Sequence, residues 1–118
     1  MKNDLKPRTK QFALQIIKFW ESLPKDDTSK TLGRQLLRSG TSVAANYRAV
    51  CRAKSTPDFI SKLSTVLEEA DESAFWIELL MGSGKVQNES ARPLLKEANE
   101  LVAISITSIN TARKNTQQ

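Results

Sequence analysis

Apolar residues return at every third or fourth position in four separate stretches of this 118-residue chain, and that spacing restricts its fold more than any other feature. Phe12, Ile16, Phe19 or Trp20, and Leu23 mark the first stretch, which Pro24-Lys25-Asp26-Asp27 interrupts. Leu32, Leu36, Val43, Tyr47 and Val50 share one face of a second segment, expected to start near the capping residues Asp27 and Thr28 and to run to about Ala53. Ser55-Thr56-Pro57-Asp58 reads as a new helix start, with a capping hydroxyl, proline at the first helical position and then an acid favoured by the helix dipole. Leu63, Leu67, Ala70, Ala74, Ile77 and Met81 line the third segment, and Gly82-Ser83-Gly84 supplies a left-handed stop. The fourth aligns Leu94, Ala98, Leu101, Val102, Ser105 and Ile109, with Pro93 placed in its first turn.

Four amphipathic helices, short connections and no alternating strand pattern predict an all-α, antiparallel up-down-up-down four-helix bundle. One domain is expected over residues 1–118, with a frayed polar tail at 115–118. Gly33 and Gly40 each cost a helix about 1 kcal/mol relative to alanine, so close approach of a neighbouring helix is expected at both.

Charge is distributed unevenly. The chain carries 18 Lys and Arg against 13 Asp and Glu, yet its first 56 residues alone hold twelve bases and four acids. Between Thr28 and Thr56 stand Lys30, Arg34, Arg38, Arg48, Arg52 and Lys54, with no acid among them. At 100° per residue, all but Lys54 fall within roughly 40° of one direction, nearly opposite the apolar face. They form a ridge about 33 Å long, with Thr41 and Ala45 in its gap. Such a ridge suits a phosphate backbone, where affinity comes from counterion release and carries little sequence information. The competing role is structural: Glu68, Glu69 and Glu72 point away from the third helix's apolar stripe and are placed to pair with the ridge across a subunit boundary.

The residue types present exclude much chemistry. There is no histidine, so no Ser-His-Asp or Cys-His nucleophile, histidine shuttle or Glu-x-x-His di-iron pair can be assembled. Glu69/Glu72 and Glu97/Glu100 have i, i+3 spacing but point outward, so no metal site or cofactor is expected. No catalytic constellation converges, and the chain is expected not to be an enzyme. The single cysteine, Cys51, allows no internal disulfide, which fits a reducing, cytoplasmic setting; it is expected as a buried inert thiol. Gln15 and Lys18 interrupt the apolar stretch at 12–20, which is wrong for a signal peptide, and no uncharged apolar run approaches a membrane span. Tyr47, Trp20, Phe75 and Trp76 are of a type that stacks on bases in single-strand binders, but no glycine-rich β platform presents them, and Tyr47 is assigned to the core in preference to stacking. Phe75 and Trp76 are neighbours and cannot both face one core; together with the off-stripe Ile104 they suggest a second contact surface and self-association.

The runs 38–48 (RSGTSVAANYR), 58–63 (DFISKL) and 69–80 (EADESAFWIELL) together resemble the 23S rRNA intervening-sequence protein family, over essentially the whole chain. The resemblance implies a left-handed antiparallel bundle assembled as a homopentamer, without established catalysis. It also implies structural similarity to the accessory proteins of diversity-generating retroelements, which bind nucleic acid and a reverse transcriptase. Ala49 stands where a glutamate commonly follows the Tyr-Arg pair, and Glu68 where a lysine is common, so the two helices are further apart in charge.

The sequence therefore predicts a cytoplasmic, non-enzymatic homo-oligomer that contacts RNA or DNA phosphates through Lys30, Arg34, Arg38, Arg48, Arg52 and Lys54, with Arg34, Arg38 and Arg52 contributing most. Glu68, Glu69, Glu72, Phe75, Trp76 and Ile104 are the expected oligomer interface. The alternative is an oligomeric assembly module that recruits a protein partner such as a reverse transcriptase, with the ridge used between subunits. No membrane or small-molecule ligand is expected.

Overall fold

The computed structural model describes residues 4–116 and consists of four α-helices: α1 (Leu5–Glu21), α2 (Asp27–Val50), α3 (Thr56–Gly82) and α4 (Asn88–Thr116). They form an elongated all-α four-helix bundle of 52 × 23 × 20 Å. Each helix packs along its sequence neighbour, α1 on α2, α2 on α3 and α3 on α4, whereas α1 and α4 meet at few points.

Local chemistry explains the boundaries. The Asp26 carboxylate accepts the Ser29 backbone N–H at 2.9 Å and its hydroxyl at 3.0 Å, so the cap of α2 is Asp26, not Asp27 or Thr28. At the other end α2 stops at Val50, three residues short of Ala53, and Cys51 is its C-cap. Cys51 is exposed and not the buried thiol expected: it keeps helical dihedrals and its N–H on the Tyr47 carbonyl, but at the very end of α2 it stays open to solvent. Ser55 caps α3 through the Asp58 N–H, so Thr56 is the first helical residue and Pro57 the second, one place later than expected. Gly84 is left-handed at φ 77°, and Gly84 and Lys85 return their N–H groups to the carbonyls of Met81 and Leu80, the reciprocal pair of a Schellman stop. Because α4 begins at Asn88, Pro93 is its sixth residue and lies inside the helix, beyond the first turn where it was expected. Helix α4 continues through Thr116, so Asn115 and Thr116 of the expected tail are helical, and Gln117 and Gln118 lie outside the described residues.

The core follows the predicted stripes. Phe12, Ile16, Leu36, Val43, Leu63, Ile77, Ala98 and Leu101 are fully buried, while Leu32, Tyr47, Leu67, Met81 and Val102 pack against them partly buried. Burial pushes the Tyr47 phenol above its ordinary value, consistent with packing in preference to stacking. Gly33 and Gly40 of α2 both lie under α1 and the turn that follows it. A Cβ on Gly40 would stand 2.7 and 2.9 Å from the γ carbons of Ile16, and one on Gly33 would stand 2.7 Å from Leu23 Cδ1 and 3.2 Å from Trp20 Cδ1. Helices α2 and α3 are joined inside by a hydroxyl pair: Ser73 donates to the Glu69 carbonyl, and Ser39 and Ser73 are 2.8 Å apart. The Ser105 hydroxyl is buried on α4 without a hydrogen-bond partner.

Arg8 bridges the loose α1–α4 seam. Its Nε and Nη2 donate to the two oxygens of Glu97 at 2.7 and 2.8 Å, and Nη2 also reaches Glu100 at 2.7 Å. Those bonds raise the guanidinium's pKa further. Phe12, Phe19, Pro93 and Leu94 line the groove beside that bridge. Among the described residues no helix is long and apolar enough to cross a membrane.

Candidate nucleic-acid interface

The predicted ridge divides into cations that are occupied and cations that are not. Arg38 reaches sideways to α3, where it pairs with Glu72 and, at 3.5 Å, with Glu69. The bond to Glu72 is the main reason its pKa is raised. The pairing expected across a subunit boundary is thus made within the chain for Glu69 and Glu72. Glu72 also accepts the Trp76 indole N–H at 3.0 Å, so Arg38, Glu72 and Trp76 form one intramolecular cluster on the α2–α3 surface. Arg52 has left the helix and lies in the turn after Val50, with its guanidinium on the Arg48 carbonyl at 3.2 Å. Lys54 belongs to the α2–α3 connection, where its backbone N–H donates to Asp58. On α2 itself the ridge is therefore Lys30, Arg34, Arg38 and Arg48.

Lys30, Arg34 and Arg48 have no carboxylate partner among the described residues, and each leans toward α1. Arg48 joins Lys6 and Lys10 around a groove of about 440 Å³, to which Ala44 and Ala45 contribute no bulk. Lys30 and Arg34 join Lys25 around a second hollow of about 230 Å³, lined by Trp20, Leu23, Pro24 and Ser29. Arg34 and Arg48 are fourteen positions apart, about 21 Å along the axis. The exposed cationic surface is consequently a seam between two helices, not a ridge on one. Lys6, Lys10, Lys25 and Trp20 escaped the wheel of α2 because they come from α1 and the α1–α2 turn. The signal for them was the run of small residues, Gly33, Gly40, Ala44 and Ala45, on the side of α2 that receives α1.

The residues expected to form an oligomer interface separate as well. Phe75 is 49% exposed and Leu79, one turn on, is 37% exposed, whereas Trp76 is half-buried against Phe75 with ring centroids 5.2 Å apart. Ile104 packs against the core. Glu68 is exposed and shares with Pro57, Ile60 and Arg113 a groove of about 650 Å³ between α3 and the end of α4. Leu14 and Ile106 are further exposed apolar residues that no stripe had singled out. Among the described residues no group of three or more Cys, Asp or Glu is arranged to hold a metal.

Comparison with known proteins adds two findings. The profile of the family described as 23S rRNA-intervening sequence protein matches residues 1–107. The fold is similar to a crystal structure from Bacteroides thetaiotaomicron described as a protein with unknown function from the S23 ribosomal protein family, with a TM-score of 0.82 and 33% identity, covering 88% of this chain and 96% of that one. No curated protein matches the sequence.

Proposed function

The chain belongs to the 23S rRNA-intervening sequence protein family, and from that premise we propose that it is a non-enzymatic, oligomeric, cytoplasmic bundle protein that binds RNA or DNA through phosphate contacts along the α1–α2 seam. The observation that carries this reading is the gathering of six cations without carboxylate partners, Lys6, Lys10, Lys25, Lys30, Arg34 and Arg48, into two hollows along one seam. Arg8 and Arg38, by contrast, are occupied by acids of the same chain. Cations held close together without acids repel one another, and a polyanion relieves that repulsion while releasing its own counterions. Such binding carries little sequence information and falls steeply with salt. The apolar pair Phe75 and Leu79 on the outer side of α3 supports self-association.

The test is fluorescence anisotropy of labelled RNA and DNA across salt concentrations, with the mass of the protein measured on the same sample. Replacing Arg34 and Arg48 by glutamine removes two phosphate contacts and lowers the salt slope by about 2 on a duplex. Arg38→Gln leaves the slope where it was, because Arg38 is held by Glu69 and Glu72. Absence of binding at low salt, or equal effects of all three substitutions, defeats the phosphate reading. A single-chain mass defeats the oligomeric part.

A further inference from the structure

The two tryptophans sit in opposite electrostatic surroundings, and that difference carries a more specific assignment. Trp76 donates its indole N–H to Glu72 and lies beside a carboxylate-rich strip of α3. Trp20 lies at the end of α1 with Lys25, Lys30 and Arg34 around it. Its ring rests on α2 at Gly33, where a Cβ would come within 3.2 Å of Cδ1 and 3.6 Å of Nε1. The glycine lets Cδ1 and Nε1 of the indole approach the neighbouring helix, yet Trp20 remains 38% exposed. A large aromatic backed by a glycine, partly exposed and grouped with cations that have no carboxylate partner among the described residues, is the combination that binds single strands: the ring stacks a base and the cations hold the adjoining phosphates.

We propose that Trp20 is a stacking platform for one base of a single-stranded nucleic acid, whose flanking phosphates are held by Lys25, Lys30 and Arg34. The assignment rests on the phosphate-binding reading above and narrows its ligand. The hollow of about 230 Å³ has room for a single planar base, and a duplex keeps its bases stacked inside and offers this site phosphates alone. Of the two neighbouring acids, Asp26 is already engaged by Ser29 and, at 3.3 Å, by Lys85, and Asp27 forms no ion pair with these cations among the described residues. Every base has a stackable face, so the site prefers single strands without preferring a sequence.

The test uses the full chain carrying Trp76→Phe, so that indole emission reports Trp20 alone. Short oligo(dT), the same strand in duplex, and heparin are titrated while anisotropy of the labelled strand is followed in parallel. The expected result is saturable quenching by oligo(dT) with far less by duplex or heparin. Trp20→Ala should weaken oligo(dT) by about 5- to 140-fold, with heparin affinity unchanged. Trp20→Phe, which keeps a smaller ring on Gly33, falls between and keeps the comparison intact if the alanine variant does not fold. Binding of oligo(dT) without quenching, or equal loss of oligo(dT) and heparin in the Trp20 variants, overturns the stacking role and leaves the phosphate reading standing. Absence of binding to all three probes overturns both.

Discussion

Replacing Gly40 by alanine puts opposing terms on one atom. In an open helix the change is favourable by about 1 kcal/mol, because alanine loses less backbone freedom. Here the new methyl carbon would lie 2.7 and 2.9 Å from the two γ carbons of Ile16 and 3.2 Å from its β carbon. Those atoms are the branched stem of a fully buried side chain, so they cannot swing aside without moving α1. Overpacking of this kind costs about 1–3 kcal/mol, and the rigid neighbour places Gly40→Ala at the upper end. Subtracting the propensity gain leaves about 2 kcal/mol of destabilisation, or roughly 8 °C in Tm for a chain of this size. Gly82→Ala is the control: nothing lies within 4 Å of its Cβ position and its φ is not left-handed, so it should be neutral or stabilising. Thermal melts at fixed protein concentration read both. A double-mutant cycle with Ile16→Ala assigns the cause, since removing the γ carbons should make Gly40→Ala much less costly. An unchanged or raised Tm for Gly40→Ala, or strict additivity with Ile16→Ala, refutes the close-approach argument.

Three further outcomes are expected. Ser105→Ala removes a buried hydroxyl that has no partner and should stabilise the fold by roughly 1 kcal/mol, seen as a higher Tm; a lower one contradicts the burial cost. Asp26 is held below its ordinary pKa by the Ser29 backbone N–H, and Asp58 by the Lys62 ammonium. The stability they lend is fully present above about pH 4 and is lost as pH falls through their lower folded values, so Asp26→Asn combined with Asp58→Asn should flatten the acid limb of Tm against pH. An acid limb of the same steepness refutes their part in it. Cys51 is exposed, so a chromogenic disulfide reagent should modify one thiol per chain without denaturant, and protection until unfolding contradicts its C-cap position.

Much of the architecture was legible because apolar spacing and caps are local. Leu36, Val43, Ala70, Ala98 and Ile109 are buried where period alone placed them, and Ser55 and Gly84 act as their residue types imply. Errors gathered where a boundary moved by a few residues. Ending α2 at Val50 put Arg52 in the turn beyond the helix, while starting α4 at Asn88 put Pro93 inside the helix. The candidate site was half legible. A helical wheel records the direction in which a side chain leaves its own helix, and Arg38 does leave in the ridge direction. Its long side chain then bends to whatever the next helix offers, and that depends on the rotation of α3, which brings Glu69 and Glu72 alongside. In the same way Lys6 and Lys10 joined Arg48 only once α1 had settled on Ala44 and Ala45.

The sparse seam between α1 and α4 also sets the order in which the bundle comes apart. Three helices share two extensive faces, α2 with α3 and α3 with α4, but α1, the shortest, is secured along one face and tethered on the other mainly by Arg8. Lifting α1 therefore breaks one interface and leaves α2–α4 with their own buried side chains, among them Leu36, Leu63, Ile77 and Leu101. Amide protons in α1 have a cheaper route to solvent than global unfolding, and those of α2 and α3, each packed on both sides, have the most expensive one. Both cationic hollows are walled on one side by α1, so if the proposed polyanion binding holds, a ligand spanning the seam favours the closed state and should slow hydrogen exchange throughout α1.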